Sequence, residues 1–274
     1  MSLATITADR PLVLVGAGKM GGAMLAGWLA QGLRADAVHV VDPAPPPDSA
    51  ALLQRHGIAA AAEPEAGLTA GVLVVAVKPQ MMGEVLPKLR AIVRPDTLVL
   101  SIAAGTTIAV LEHDLGAARV VRSMPNTPAQ IGKGMTVAVA TPAVGDARSF
   151  ATDLLAAVGQ VEWLDDEGLI NAVTAVSGSG PAYVFFLAEA LAEAGVEAGL
   201  DPVLSRKLAD ATIAGAGALL EQSGEAPAVL RQNVTSKGGT TAAALAVLMA
   251  EDGLAPILRR AVLAAKKRAE ELAG

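Results

Sequence analysis

The chain has 274 residues, 53% of them hydrophobic and 18% charged, with a formal net charge of -6; that is room for two domains and a large core. Aromatic residues make up only 2% and no Lys/Arg block of useful length appears, so there is little on which to stack bases or neutralise phosphates, and no nucleic-acid partner is expected. There are no cysteines, which removes disulfides, thiolate zinc sites and cysteine nucleophiles and fits a reducing compartment.

The first segment, MSLATITADRPLVLVG, carries Asp9 and Arg10 ahead of its first apolar run and reads as neither a signal nor a transit peptide. No uncharged apolar run approaches the ~18 residues of a spanning helix. The expectation is a soluble, cytoplasmic protein with no membrane partner.

PLVLV (11–15), AVHVV (37–41), VLVVAV (72–77), TLVLSI (97–102) and RVVRS (119–123) are short, β-branched and apolar on both faces, the pattern of buried parallel strands. Helix-like segments lie between them, near 20–31, 49–56, 80–91 and 107–113. GMTVAVA (134–140) and QVEWL (160–164) add two strands around a helix near 145–157. From about Asp165 the texture becomes helical: LINAVTAV (169–176), AYVFFLAEALAEAGV (182–196), PVLSRKLADATIAGAGALLEQ (202–222) and PILRRAVLAAKKRAEEL (256–272). In the second of these, Glu189, Glu193 and Glu197 form a polar stripe and Val184, Leu187, Ala188 and Leu191 an apolar one. Asp201–Pro202 is an N-cap and first-turn pair. The glycines of AGAGA (214–218) weaken their helix by about 1 kcal/mol each, which predicts a closely packed neighbouring helix. The expected fold is therefore α/β: a doubly wound, mostly parallel Rossmann-type sheet over 1–165, followed by an all-α domain over 166–274.

Gly16, Gly18 and Gly21 give G-x-G-x-x-G between a buried strand and a helix. In that context the glycines allow a tight turn, close approach of a pyrophosphate, and helix–strand packing, while the helix N-terminus offers free N–H groups to the phosphates. The next strand ends at Asp42, 21 residues past Gly21, where an acid accepts from both adenosine ribose hydroxyls and repels a 2′-phosphate. The following PAPPPD holds no Lys or Arg, so the motif favours NADH over NADPH.

Loops after the later strands should line the same crevice, because ligands of open α/β sheets bind at strand C-termini. These are Lys78-Pro79, SIAAG (101–105) and Met124-Pro125-Asn126-Thr127-Pro128, with Asn126 at the nicotinamide end. Lys78 by itself reads equally as a solvent ion pair. No proton relay suited to an alcohol or ketone is evident. His39, His56 and His113 read as structural, Tyr183 follows an expected helix break, and no metal-ligand cluster appears. A dinucleotide site without a strong acid or base points to a substrate needing little proton help, such as a protonated imine. In NVTSKGGTTAAALAVLMA (233–250) the apolar half is helical, and the half before it is either a cap or an anion site.

VGAGKMGGAM, AVKP, SIAAG, RSMPNTPA, AVSGSGPAYVF and NVTSKGGTT, in that order, resemble the pyrroline-5-carboxylate reductase family along essentially the whole chain. The resemblance implies NADPH- or NADH-dependent hydride transfer to the C=N carbon of 1-pyrroline-5-carboxylate, giving L-proline. It implies self-association through the helical domain into a homodimer, with dimers building a homodecamer. It implies a cofactor site of Gly16, Gly18, Lys19, Met20, Gly21, Asp42, Ala76, Val77, Lys78, Pro79, Ala103 and Asn126. For the substrate it implies Ser236 and the N–H groups of Gly239, Thr240 and Thr241 on the carboxylate, Val234 against the ring, and Thr241 near the ring nitrogen as the catalytic residue. Asp42 departs from the Ser, Asn or Arg of many members. Lys237 either draws in the carboxylate or points to water. Two other readings are a β-hydroxyacid dehydrogenase, against which SGSGPAYVFFLAEA counts by lacking a lysine, and a non-catalytic NAD(P)-sensing module.

Overall fold

The computed structural model describes residues 3–272. Eight strands form one sheet: β1 (Leu12–Val15), β2 (Val38–Val41), β3 (Ala60–Ala61), β4 (Val72–Val75), β5 (Leu98–Ser101), β6 (Val120–Met124), β7 (Gly134–Ala140) and β8 (Gly159–Trp163). Their order is β3-β2-β1-β4-β5-β6-β7-β8. Every neighbouring pair is parallel except β6–β7, which is antiparallel.

The two-residue period of the strands divides the core into two layers. Leu12, Leu14, Val72, Val74, Leu98 and Leu100 face one way, toward α1 (Lys19–Ala30), α2 (Pro47–His56) and α5 (Arg148–Ala156). Val13, Val15, Leu73, Val75 and Val99 face the other way, toward α3 (Met82–Leu89) and α4 (Ile108–Leu115). This is the doubly wound arrangement. Trp28 of α1 is fully buried and its indole N–H donates to the Leu154 carbonyl of α5 at 2.7 Å, so its one polar atom is satisfied inside the core.

All seven expected strands are present, with the third ending at Val75, where Ala76 and Val77 leave the sheet as a loop. The structure adds β3, only two residues long, because two alanines carry no periodic signal. It pairs with β2 and forms that edge of the sheet. At the expected junction of SGSGP one helical segment ends and another starts, with Ser179 as the N-cap of the second and Pro181 in its first turn. Short α6 (Ile170–Val173) passes into a π turn, Thr174–Gly178, and then into α7 (Gly180–Glu197). Pro181 is tolerated there because a first-turn N–H has no intrahelical acceptor to lose.

One compact unit extends through Gly178 and takes in the chain from Lys266; the other is Ser179–Ala265. The second unit holds α7, α8 (Pro202–Ser223), α9 (Pro227–Asn233), α10 (Thr240–Leu248) and the first part of α11 (Leu254–Leu272). Asp201 Oδ1 accepts from the N–H groups of Val203 and Leu204 at 3.0 and 3.2 Å, so it caps α8 as expected. The close helix–helix approach falls elsewhere than expected. A Cβ on Gly215 or Gly217 would meet nothing within 4 Å, whereas one on Gly195 would lie 2.1 Å from Ser205 Oγ, where α7 and α8 pack. Among the described residues of this unit only Ser205 and Ala209 are buried. Phe185 and Phe186 are 67% and 68% exposed, and the expected apolar stripe Val184, Leu187 and Leu191 is exposed as well. A helical layer with so little interior has its apolar surface available for another chain.

Candidate active site

The glycine loop sits at the C-terminal end of β1. Gly16 has φ +92°, and a Cβ there would lie 2.7 Å from the Ala76 carbonyl oxygen; neither condition admits a side chain. A Cβ on Gly21 would lie 2.1 Å from the Gly16 carbonyl, so this glycine sets how closely α1 meets the loop. Gly18, the N-cap of α1, differs from both: nothing lies within 4 Å of the space its Cβ would fill, and no side chain caps the helix. Lys19 and Met20 form the first turn of α1, whose leading N–H groups have no intrahelical partner. Open space over a positive helix end is what a pyrophosphate requires.

Asp42 stands beside this loop. Its Oδ2 accepts from the Ala17 N–H at 2.7 Å and its Oδ1 from the Ala44 N–H at 2.9 Å. Gly16, Gly18, Asp42, Ala76, Val77 and Lys78 line one cleft of about 550 Å³. Pro79 opens the 3-10 turn that follows Lys78. The glycine cradle, the open helix end and the carboxylate at the cleft edge fit a dinucleotide. Among the residues of this cleft that sequence reasoning missed are Glu84 and the pair Glu63 and Lys88, 3.0 Å apart. Glu63 follows the unrecognised β3 and Lys88 belongs to α3, so neither adjoins the motif in sequence. None of the three histidines lines the cleft, and among the described residues no His, Asp and Glu group could hold a metal.

The ends of β5 and β6 lie on the side of β1 away from β2. The Ala103 methyl belongs to the core, and its N–H donates to Ser101 Oγ at 3.3 Å. Asn126, after β6, accepts the Met135 N–H on Oδ1 at 2.9 Å and donates from Nδ2 to Ser177 Oγ at 3.2 Å. Two segments singled out in the sequence, MPNTP and SGSGP, are thus brought together. Below them Glu167 Oε1 accepts from Arg122 at 2.6 Å and from the Ile108 N–H at 2.9 Å, joining β6, α4 and the turn ahead of α6.

In the helical unit, Gly239 is the N-cap of α10 and no side chain caps that helix. Thr240 and Thr241 are therefore its first two residues, and their hydroxyls are not caps. Gly238 turns with φ +73°, and a Cβ on Gly239 would lie 2.4 Å from Ser236 Oγ, so the glycine lets Ser236 fold over the helix start. The Gly239 N–H donates to the Ser236 carbonyl at 3.1 Å. Val234 and Lys237 are exposed.

Residues 11–105 match a family model described as NADP oxidoreductase, coenzyme F420-dependent. Residues 167–272 match the pyrroline-5-carboxylate reductase dimerisation model. A pyrroline-5-carboxylate reductase of Pseudomonas aeruginosa is 41% identical over 96% of this chain and 96% of its own length. The chain belongs to the pyrroline-5-carboxylate reductase family. A solved pyrroline-5-carboxylate reductase of Coxiella burnetii, 34% identical, superposes with a TM-score of 0.88 over 97% of this reductase and 99% of its own chain. The Plasmodium falciparum pyrroline carboxylate reductase, solved with NADP bound, is 27% identical with a TM-score of 0.78, covering 98% and 100% of the two chains.

Membership accounts for the exposed helices: the C-terminal half of this reductase self-associates. It also bears on the helical stretch Glu167–Glu197, which is long and apolar enough by length and composition to cross a bilayer. The expectation that no such stretch exists is corrected. The reason is that Asn171, Ser177, Ser179 and their neighbours are uncharged without being strongly apolar, so the run escapes a reading by apolar residues alone. The stretch lies within the dimerisation match.

Proposed function

We propose that the chain reduces 1-pyrroline-5-carboxylate to L-proline at the expense of NADH or NADPH, the last step of proline biosynthesis. The observation that carries this reading is the 41% identity to a pyrroline-5-carboxylate reductase over 96% of both chains. When bound, the reduced nicotinamide supplies a hydride to the C=N carbon. The chain's own residues bind and orient. The Gly16–Gly21 loop and the first turn of α1 hold the pyrophosphate, and Asp42 holds the adenosine ribose. Ser236 and the N–H groups of Thr240 and Thr241 hold the substrate carboxylate, the expected Gly239 N–H being taken by the Ser236 carbonyl; Val234 packs on the ring, and Thr241 Oγ1 bonds the ring nitrogen. Supporting this, α10 has no side-chain cap, which leaves both threonine hydroxyls and the first-turn N–H groups for a ligand.

Asp42 supports a preference for NADH, since backbone N–H groups on both oxygens hold its charge where a 2′-phosphate would approach. In this reading residues 1–165 serve the cofactor, and residues 166–274 serve the substrate and the dimer, which assembles further into a decamer. The absence of cysteine supports a cytoplasmic location. The test is loss of 340 nm absorbance on adding pyrroline-5-carboxylate to protein with NADH and, in parallel, NADPH. No loss with either cofactor rejects the function.

A further inference from the structure

The direction of the hydrogen bonds around Asn126 is fixed. A backbone N–H can only donate, so the atom receiving the Met135 N–H at 2.9 Å is the amide oxygen. The other end of the amide is then the NH2 group, and it donates to Ser177 Oγ at 3.2 Å. The Ser177 oxygen acts as acceptor in that bond, so its own proton is directed to a different partner. Ser177 is half-buried within the π turn Thr174–Gly178, a geometry that recurs at functional sites. Gly178 beside it is tightly held: a Cβ there would lie 2.6 Å from Met124 Cε.

The sheet order says what lies near this hydroxyl. Asp42, at the end of β2, marks the adenosine side of the crevice. Across the C-terminal edge come β1 with its glycine loop, then β4, β5 and β6. A dinucleotide laid along that edge ends over the loop that carries Asn126. One face of the nicotinamide has to stay open to the substrate, so a fixed donor at this end meets the ring at its edge, where the carboxamide is. We propose that the Ser177 hydroxyl donates to the carboxamide oxygen of the nicotinamide, and that Asn126 is the positioning residue that keeps that proton pointed outward. The proposal rests on the reductase reading above.

The test compares dissociation constants for NADH and for ADP-ribose, which lacks the nicotinamide, by titration calorimetry. Ser177→Ala should weaken NADH about fivefold, the size of one neutral hydrogen bond, and leave ADP-ribose unchanged. Ser177→Thr, which keeps the hydroxyl, should restore NADH to within about twofold. Asn126→Asp has no proton to give, so the Ser177 hydroxyl turns back to it. That variant should show the same selective loss, and the double variant should be no worse than either single one. Equal weakening of NADH and ADP-ribose, or no weakening of either, overturns the proposal, as does additivity in the double variant. Wild-type protein that binds NADH without oxidising it when pyrroline-5-carboxylate is added would reject the reductase reading instead.

Discussion

Asp42 Oδ2 accepts the Ala17 N–H at 2.7 Å, so the carboxylate at the end of β2 is tied to the backbone of the glycine loop at the end of β1. A charge-assisted bond of this kind is worth about 1.5–3 kcal/mol. The carboxylate proposed to discriminate between cofactors therefore also braces the glycine loop. Asp42→Ser should raise the NADPH/NADH ratio of kcat/KM by at least about tenfold, from removal of a fixed charge near the 2′ position. It should also raise KM for NADH. An unchanged ratio in parallel steady-state assays would show that Asp42 only braces the loop.

Gly18 and Gly21 separate binding from folding. A Cβ on Gly18 enters open space, and its φ of -63° is ordinary for any residue. Gly18→Ala should keep the wild-type melting temperature and lose most NADH affinity. Gly21→Ala collides with the Gly16 carbonyl at 2.1 Å and should lower both. Thermal melts with and without NADH distinguish the two outcomes.

Thr241 is the second residue of α10 and does not cap it. Thr241→Ala should lower kcat by about tenfold or more through loss of a bond at the ring nitrogen, with the NADH dissociation constant unchanged. Thr241→Ser should recover most of the rate. Equal losses in turnover and cofactor binding would argue against contact with the substrate.

The Arg122 side chain is 4% exposed and bonds Glu167 at 2.6 Å. Glu167→Ala leaves that guanidinium buried without its counter-charge and also frees the Ile108 N–H. The variant should lose about 2–4 kcal/mol in urea unfolding. Arg122→Met with Glu167→Ala should lose less than Glu167→Ala alone, since the uncompensated charge is gone.

Phe185 is 67% exposed in the single chain and lies within the dimerisation match. Phe185→Glu should shift the sedimentation coefficient to that of a monomer at micromolar protein. A variant that keeps the wild-type sedimentation coefficient would place the contact on other faces of the helices.

The strand and helix sequence of the first half was legible because its signals are local. Runs such as VLVV and LVLS are apolar on both faces, and a tight Gly16–Gly21 turn joins strand to helix. The cofactor cleft was legible on the side that carries this motif. Glu63 and Lys88 were not, because α3 and the segment after β3 reach the cleft only through the winding of the sheet. α9 escaped notice because seven residues give too little periodicity. The glycines of AGAGA announced a close neighbour that the single chain does not supply.

By itself the sequence determined the strand–helix alternation, the glycine turn and the Asp201 cap. Each of these depends on residues within a few positions of one another. Tertiary structure alone decided that Asp42 holds a loop 25 residues earlier, and that Asn126 meets a serine 51 residues later. It also decided that Arg122 finds its counter-charge 45 residues on. A hydrogen bond depends on where backbones come to lie within about 3 Å of each other, and chain order carries no such distance.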